Sequence, residues 1–180
     1  ASVSDECRMA AVTCVAPSKT FNIAGLQSSA MIIADERKRQ NIGRGLWKYD
    51  VAEPNAFAVD ATVAAFTSGG AWLDELRAYI RDNKKLVTDY LLNEYPKIHA
   101  LESHATYLCW LDCSALTQDS AEFCSFVRSR TGLYLSDGAQ YRGNGRGFVR
   151  MNLACPRKYA EDGLKRLKEG AEAYDNSRGK

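Results

Sequence analysis

Leu73, Leu76, Ile80, Val87 and Leu91 recur at helical spacing, while Arg77, Arg81, Asp82, Lys84 and Lys85 occupy the other directions around the same turns. This pattern predicts one long amphipathic helix that ends at Tyr95-Pro96, where a proline cannot continue it. Its apolar stripe reads as core, not as a cofactor box. A helix of that length separates the N-terminal third of the chain from the C-terminal half. The expectation is an α/β chain in three parts: residues 1–69, a linking helix over 70–95, and a small α/β domain over 96–180.

Ahead of the helix, residues 9–15 and 28–34 are short apolar runs of strand length, read as buried strands. Pro17 stops the first, because it cannot donate to a ladder and biases Ala16 towards extended backbone. Between them stands Lys19. One reading is a loop ammonium that reaches out to water. The other is a partly desolvated amine, the kind that covalent chemistry with carbonyl compounds uses. Residues 35–48 form a polar helical pattern, ended or interrupted around Gly43 and Gly45. Residues 56–67 are small and apolar almost all round, which suits a helix buried between elements or at a subunit interface.

After the helix, residues 106–113 read as a strand. Asp119 and Glu122 resemble a capping box that opens a helix carrying Phe123, Phe126 and Val127 and stopping at Gly132. Residues 133–135 and 147–153 are further short strands, and Ala160, Leu164, Leu167, Ala171 and Tyr174 stripe a last helix.

Composition excludes several classes. With 46% hydrophobic and 26% charged residues, the chain is globular in character, and its net charge of +2 selects no partner. The cluster Arg37-Lys38-Arg39 with Arg44 and Lys48 follows a helical pattern whose simplest origin is a solvated face, so nucleic-acid binding is not expected. No run approaches the roughly 20 apolar residues of a membrane span, and a signal-peptide layout is missing, so a cytoplasmic protein is expected. The six cysteines, Cys7, Cys14, Cys109, Cys113, Cys124 and Cys155, form no C-x-x-C pair and read as free thiols, mostly small buried hydrophobes. His99 and His104 lack ligand-type neighbours, so no metal site is expected. The glycine-rich run 143–147 precedes a strand instead of joining a strand to a helix, and reads as a loop, not a nucleotide cradle.

Four blocks then carry a resemblance: Ala16-Pro17-Ser18-Lys19-Thr20-Phe21-Asn22-Ile23-Ala24-Gly25-Leu26-Gln27, Gly70-Ala71-Trp72-Leu73-Asp74-Glu75-Leu76, Thr106-Tyr107-Leu108-Cys109-Trp110-Leu111-Asp112, and Gly145-Arg146-Gly147-Phe148-Val149-Arg150-Met151-Asn152-Leu153-Ala154-Cys155-Pro156-Arg157. In this order they resemble the fold type I pyridoxal phosphate enzymes, within the class I/II aminotransferase superfamily. The likeness is to the carbon–sulfur β-lyases related to cystathionine β-lyase and the maltose regulon modulator, and it extends only to the C-terminal half of such chains.

The resemblance implies that residues 1–69 are a remnant of the large cofactor domain. It makes Lys19 the Schiff-base lysine for pyridoxal 5'-phosphate and the base at the substrate Cα, and Arg150 the arginine that binds the substrate α-carboxylate. A guanidinium suits that task because it pairs bidentately with a carboxylate. Read without the family, Arg150 is a strand arginine paired with a surface acid or with nothing. Ser18 and Asn22 are weaker cofactor-binding candidates, since both residue types favour turns for local reasons. Tyr141 is a candidate for the mouth of the substrate site. Where related aminotransferases carry a serine and an arginine for the phosphate, this chain has Ala16 and Gln27, which disfavours the aspartate-aminotransferase subgroup.

The implied activity is β-elimination from cystathionine or a cysteine S-conjugate to thiol, pyruvate and ammonia, by a homodimer. An aminotransferase is the second reading and a non-catalytic interaction module the third. The glycine loop for the phosphate, the stacking ring and the pyridine-nitrogen carboxylate lie upstream of the lysine in this family. These residues alone are therefore expected to bind cofactor poorly and to be inactive.

Overall fold

A computed structural model describes residues 2–179, which divide into two compact units between Leu76 and Arg77. In the first, helix α1 (Asp5–Ala10) is held at both ends. Ser4 Oγ accepts the Cys7 N–H at 3.1 Å, and Lys38 Nζ donates to the carbonyls of Met9 at 2.8 Å and Ala10 at 3.1 Å. This capped turn takes Met9 and Ala10, so the strand expected over 9–15 shrinks to β1 (Thr13–Val15). It pairs antiparallel with β2 (Ala30–Ile32), Cys14 opposite Met31.

Neither strand is buried, contrary to expectation, because among the described residues no layer covers this two-stranded ribbon: Met31 and Ile32 are exposed. Helix α2 (Glu36–Lys48) starts where Asp35 accepts the Lys38 N–H at 2.7 Å. It runs straight through Gly43 and Gly45 rather than breaking there. The stop comes later. Asp50 adopts a left-handed backbone (φ 55°), its N–H bonds to Trp47 O at 3.1 Å, and the Val51 N–H reaches back to Leu46 O at 3.1 Å. These paired closing bonds satisfy the last carbonyls and outweigh the helix cost of about 1 kcal/mol per glycine. Helix α3 (Ala58–Ser68) exposes Val59, Val63 and Phe66 and buries only Ala58, so of the two settings expected for it, burial between elements of this chain is not the one found.

Helix α4 (Gly70–Glu94) runs across the division between the units. In the second unit, β3 (His99–Ala100), β4 (Leu108–Asp112), β5 (Ser136–Asp137) and β6 (Phe148–Asn152) form an antiparallel sheet in the order β3-β4-β6-β5. Side chains alternate along β4 and β6, so Cys109, Leu111, Val149 and Met151 enter the core. There they join Phe123 and Val127 of α5 (Ser120–Thr131), Leu164, Leu167 and Tyr174 of α6 (Arg157–Arg178), and Val87 and Leu91 of α4.

Buried Asn83 fastens α4 to the chain after β6, donating to Leu153 O at 3.1 Å and Cys155 O at 3.0 Å. The box at the start of α5 is half as expected: Asp119 Oδ1 accepts the Glu122 N–H at 3.1 Å. The Asp119 N–H, however, goes to Thr117 Oγ1 at 2.9 Å, which leaves the Glu122 carboxylate to accept from Tyr174 Oη and pair with Arg178. The strand expected over 133–135 begins only at Ser136, because the Leu133 N–H turns back to Thr131 Oγ1 at 3.3 Å instead of joining the ladder. Of the cysteines, Cys109, Cys113 and Cys124 are buried, whereas Cys7 and Cys14 are exposed. Burial raises the Cys113 thiol strongly and that of Cys124 to about 12.

Among the described residues, the Tyr95 hydroxyl is buried without a hydrogen-bond partner. Burial, with Asp175 and Glu172 adding to it, pushes its phenol up to about 12. A phenol ionises near 10 when unfolded. Wild-type stability associated with this group is therefore full below about pH 10 and is lost as pH climbs towards 12. Tyr95→Phe removes an unsatisfied polar atom, so it is expected to gain about 1 kcal/mol at pH 7. Urea midpoints should also show the variant losing less than wild type between pH 10 and 12.

Candidate active site

Lys19 stands in a tight turn that begins at buried Pro17. The Phe21 N–H donates to Pro17 O at 2.9 Å and the Ile23 N–H to Ser18 O at 3.1 Å. Asn22 takes the left-handed backbone (φ 55°) that closes the turn, a conformation asparagine tolerates better than most side chains. Phe21 anchors the turn. Its ring meets Phe66 edge-on at 5.8 Å and stacks on Trp72 at 6.1 Å. Gly69 makes this approach possible, since a methyl there would sit 2.5 Å from Phe21 Cε1.

The lysine is exposed, which corrects the expectation of partial desolvation, because the ribbon on either side is itself uncovered. Among the described residues, nothing hydrogen-bonds or pairs with Lys19 Nζ, the Ser18 hydroxyl or the Asn22 side-chain amide. Three uncommitted polar groups thus share one turn.

In the second unit, Arg150 lies on β6, the central strand flanked by β4 and β5, with Trp110 as its cross-strand partner on one side and Ser136 on the other. It falls on the strand positions that alternate with the buried Val149 and Met151, hence on the face away from the core. Arg150 Nη2 donates to Ser136 Oγ at 3.3 Å, and its guanidinium lies 4.8 Å from the centre of the Tyr141 ring. Tyr141 in turn meets Trp110 edge-on, ring centres 5.2 Å apart. Among the described residues, no carboxylate pairs with Arg150, so the surface acid that the bare sequence allowed is not there. Its partners are neutral, and the guanidinium is half-buried. That state leaves a fork of N–H donors for an outside carboxylate.

The structure therefore gathers Ser18, Lys19 and Asn22 in the first unit, and Tyr141 with Arg150 in the second. Sequence reasoning missed Trp110 and Ser136. Residues 106–113 read as a strand, but the register that sets Trp110 opposite Arg150 is not written locally. Among the described residues, no group of three His, Cys, Asp or Glu side chains could hold a metal, and no helix is long and apolar enough to cross a membrane.

The fold of the chain is that of a known class. The chain superposes on cystalysin from Treponema denticola, a structure containing pyridoxal 5'-phosphate, with a TM-score of 0.89 and 28% identity, over 96% of this chain and 44% of that one. It likewise matches the PLP-bound C–S lyase from Staphylococcus hominis complexed with L-cycloserine, with a TM-score of 0.77 and 32% identity, over 89% of this chain and 39% of that one. The fold is the α/β fold of type I pyridoxal phosphate, aminotransferase-like proteins, and the match over part of their length is consistent with a C-terminal portion.

Sequence relatives narrow the class. Cystathionine β-lyase PatB of Bacillus subtilis is 44% identical over 168 residues, spanning 93% of this chain and 43% of the relative. The protein MalY of Escherichia coli is 33% identical over 148 residues, spanning 82% and 38%. No family model matches the chain. The homologues of this chain, over most of its length, are thus the cystathionine β-lyases of the PatB and MalY type and the pyridoxal phosphate C–S lyases. The chain spans about two-fifths of the length of these curated relatives.

Gly69→Ala is expected to push Phe21 off its two aromatic neighbours and loosen the lysine turn. Hydrogen exchange read by mass spectrometry or NMR should then show the Phe21 and Ile23 amides exchanging about tenfold faster, with β4 and β6 unchanged.

Proposed function

We propose that this chain is the part of a pyridoxal phosphate-dependent carbon–sulfur β-lyase that carries the cofactor lysine and the substrate-carboxylate arginine, acting on cystathionine or a cysteine S-conjugate to release thiol, pyruvate and ammonia. The observation that carries the reading is Arg150: a half-buried cation whose partners are a hydroxyl and an aromatic face, with no carboxylate among the described residues. The lyase outcome is preferred to amino transfer because a cystathionine β-lyase is the relative at 44% identity. On this reading residues 1–69 belong to the cofactor domain, 70–95 link, and 96–180 form the small domain. A homodimer is part of the proposal, supported by the apolar residues that α3 exposes.

The residues present fit the cofactor's aldehyde end. Lys19 supplies an amine with no competing partner, and the Ser18 hydroxyl and Asn22 amide are uncommitted donors in the same turn. When bound, pyridoxal phosphate supplies an electron sink that makes the substrate Cα–H bond acidic. Lys19 Nζ would anchor it covalently and, released by the incoming amino group, accept the Cα proton. Arg150 would grip the α-carboxylate through two parallel N–H donors and so fix the direction of the Cα–H bond. Tyr141, packed on the guanidinium, would keep water from its face.

The test is borohydride trapping of pyridoxal phosphate on an active protein containing this sequence, followed by peptide mapping. A reduced adduct concentrated on Lys19, and lost in Lys19→Ala, is expected; equal labelling across the lysines overturns the lysine assignment. In an active protein containing this sequence, Arg150→Ala should raise KM for the amino-acid substrate about 10- to 100-fold, as loss of charge-assisted hydrogen bonds predicts. An unchanged KM would exclude the carboxylate role.

A further inference from the structure

Arg150 is a long, flexible side chain, and the orientation of its guanidinium decides whether a carboxylate meets one N–H or two. Its hydrogen bond to Ser136 Oγ, at 3.3 Å, is a single long contact to a neutral group and leaves the plane free to turn. The Tyr141 ring, 4.8 Å away, is a better constraint, because a cation over an aromatic face is favoured within about 6 Å of the ring centre.

Tyr141 is itself exposed, in the short helical turn Ala139–Tyr141, and an exposed ring on a loop orients nothing unless something orients it. Two features do. The base of its loop is pinched where Gly138 and Gly145 pass so close that a methyl on either would overlap the other's carbonyl oxygen. The ring then meets the edge of Trp110 at 5.2 Å, nearly perpendicular at 84°. Trp110 stands on β4 directly across from Arg150. Indole, phenol and guanidinium thus form a closed set: Trp110 and Arg150 are fixed by sheet register, and Tyr141 bridges them.

We propose that Trp110 is a positioning residue for carboxylate recognition: it sets the Tyr141 ring, which sets the plane of the Arg150 guanidinium for bidentate pairing. The inference rests on the carboxylate-binding reading of Arg150 and assigns the indole a part in it that needs no contact with substrate.

The experiment uses the whole chain and acetate as the carboxylate probe, titrated against chloride at constant ionic strength. The readout is the Arg150 Nε–Hε resonance, assigned by its loss in Arg150→Lys. Wild type should show a saturable shift. Trp110→Leu should weaken acetate binding about tenfold, Tyr141→Leu similarly, and the double variant no further, because the two act in series. Trp110→Phe, which keeps an aromatic edge, should stay within about twofold of wild type. A wild-type resonance indifferent to acetate overturns the Arg150 reading and this inference with it. A wild-type shift that Trp110→Leu leaves unchanged, or losses that add in the double variant, overturns the positioning role alone. If Trp110→Leu loses its dispersed amide spectrum, Tyr141→Leu, on the exposed turn, decides: unchanged affinity there overturns the proposal.

Discussion

The second unit depends on one register, that of β4 against β6. Cys109 opposite Met151 and Leu111 opposite Val149 send four side chains into the core, and the intervening pair, Trp110 opposite Arg150, is thereby turned outward. Because side chains alternate strictly along a strand, core and outer face cannot be chosen independently. A slip of one residue would bury a guanidinium without an anion and expose Met151. Hydrophobic burial at Leu111 and Val149 is therefore what turns Arg150 to the outer face of the sheet.

The first unit is held differently. Its ribbon has two strands of three residues each, and helix α3 exposes much of its apolar surface, so its order comes from local closures instead of a deep core. Ser4, Asp35 and the paired bonds at Asp50 and Val51 each satisfy helix-end groups within a few residues. Lys38 and Arg39 reach further, donating to main-chain carbonyls of the segments before β1 and after β2. The lysine turn obeys the same logic: two backbone bonds shape it and a single ring, Phe21, seats it.

These contrasts account for how much of the molecule was legible in its residues. The helices striped for the second unit's core, α4, α5 and α6, were readable from periodicity, because burial there writes its own period, and β4 and β6 were readable as short strand-like runs. The position of Lys19 in a turn was readable from Pro17 and its neighbours. Features that depend on a partner elsewhere in the chain were not. The desolvation expected of Lys19 assumed covered strands, and the break expected at Gly43 weighed propensity without the closing bonds downstream at Asp50. The place of Trp110 in the Arg150 cluster needed cross-strand register, which no local pattern encodes.

Asn83 gives the second unit a mechanical property. A single amide, wholly inside the protein, grips two carbonyls just past the end of β6, and the other end of the same strand opens from the pinched loop that bears Tyr141. The C-terminal part of α4 and the Arg150 strand are thus geared to each other: rotation of the helix about its axis would drag the strand's end or break two shielded bonds at once. One side chain thus couples where this part of the helix stands to where the arginine's strand ends, and neither can shift without the amide yielding.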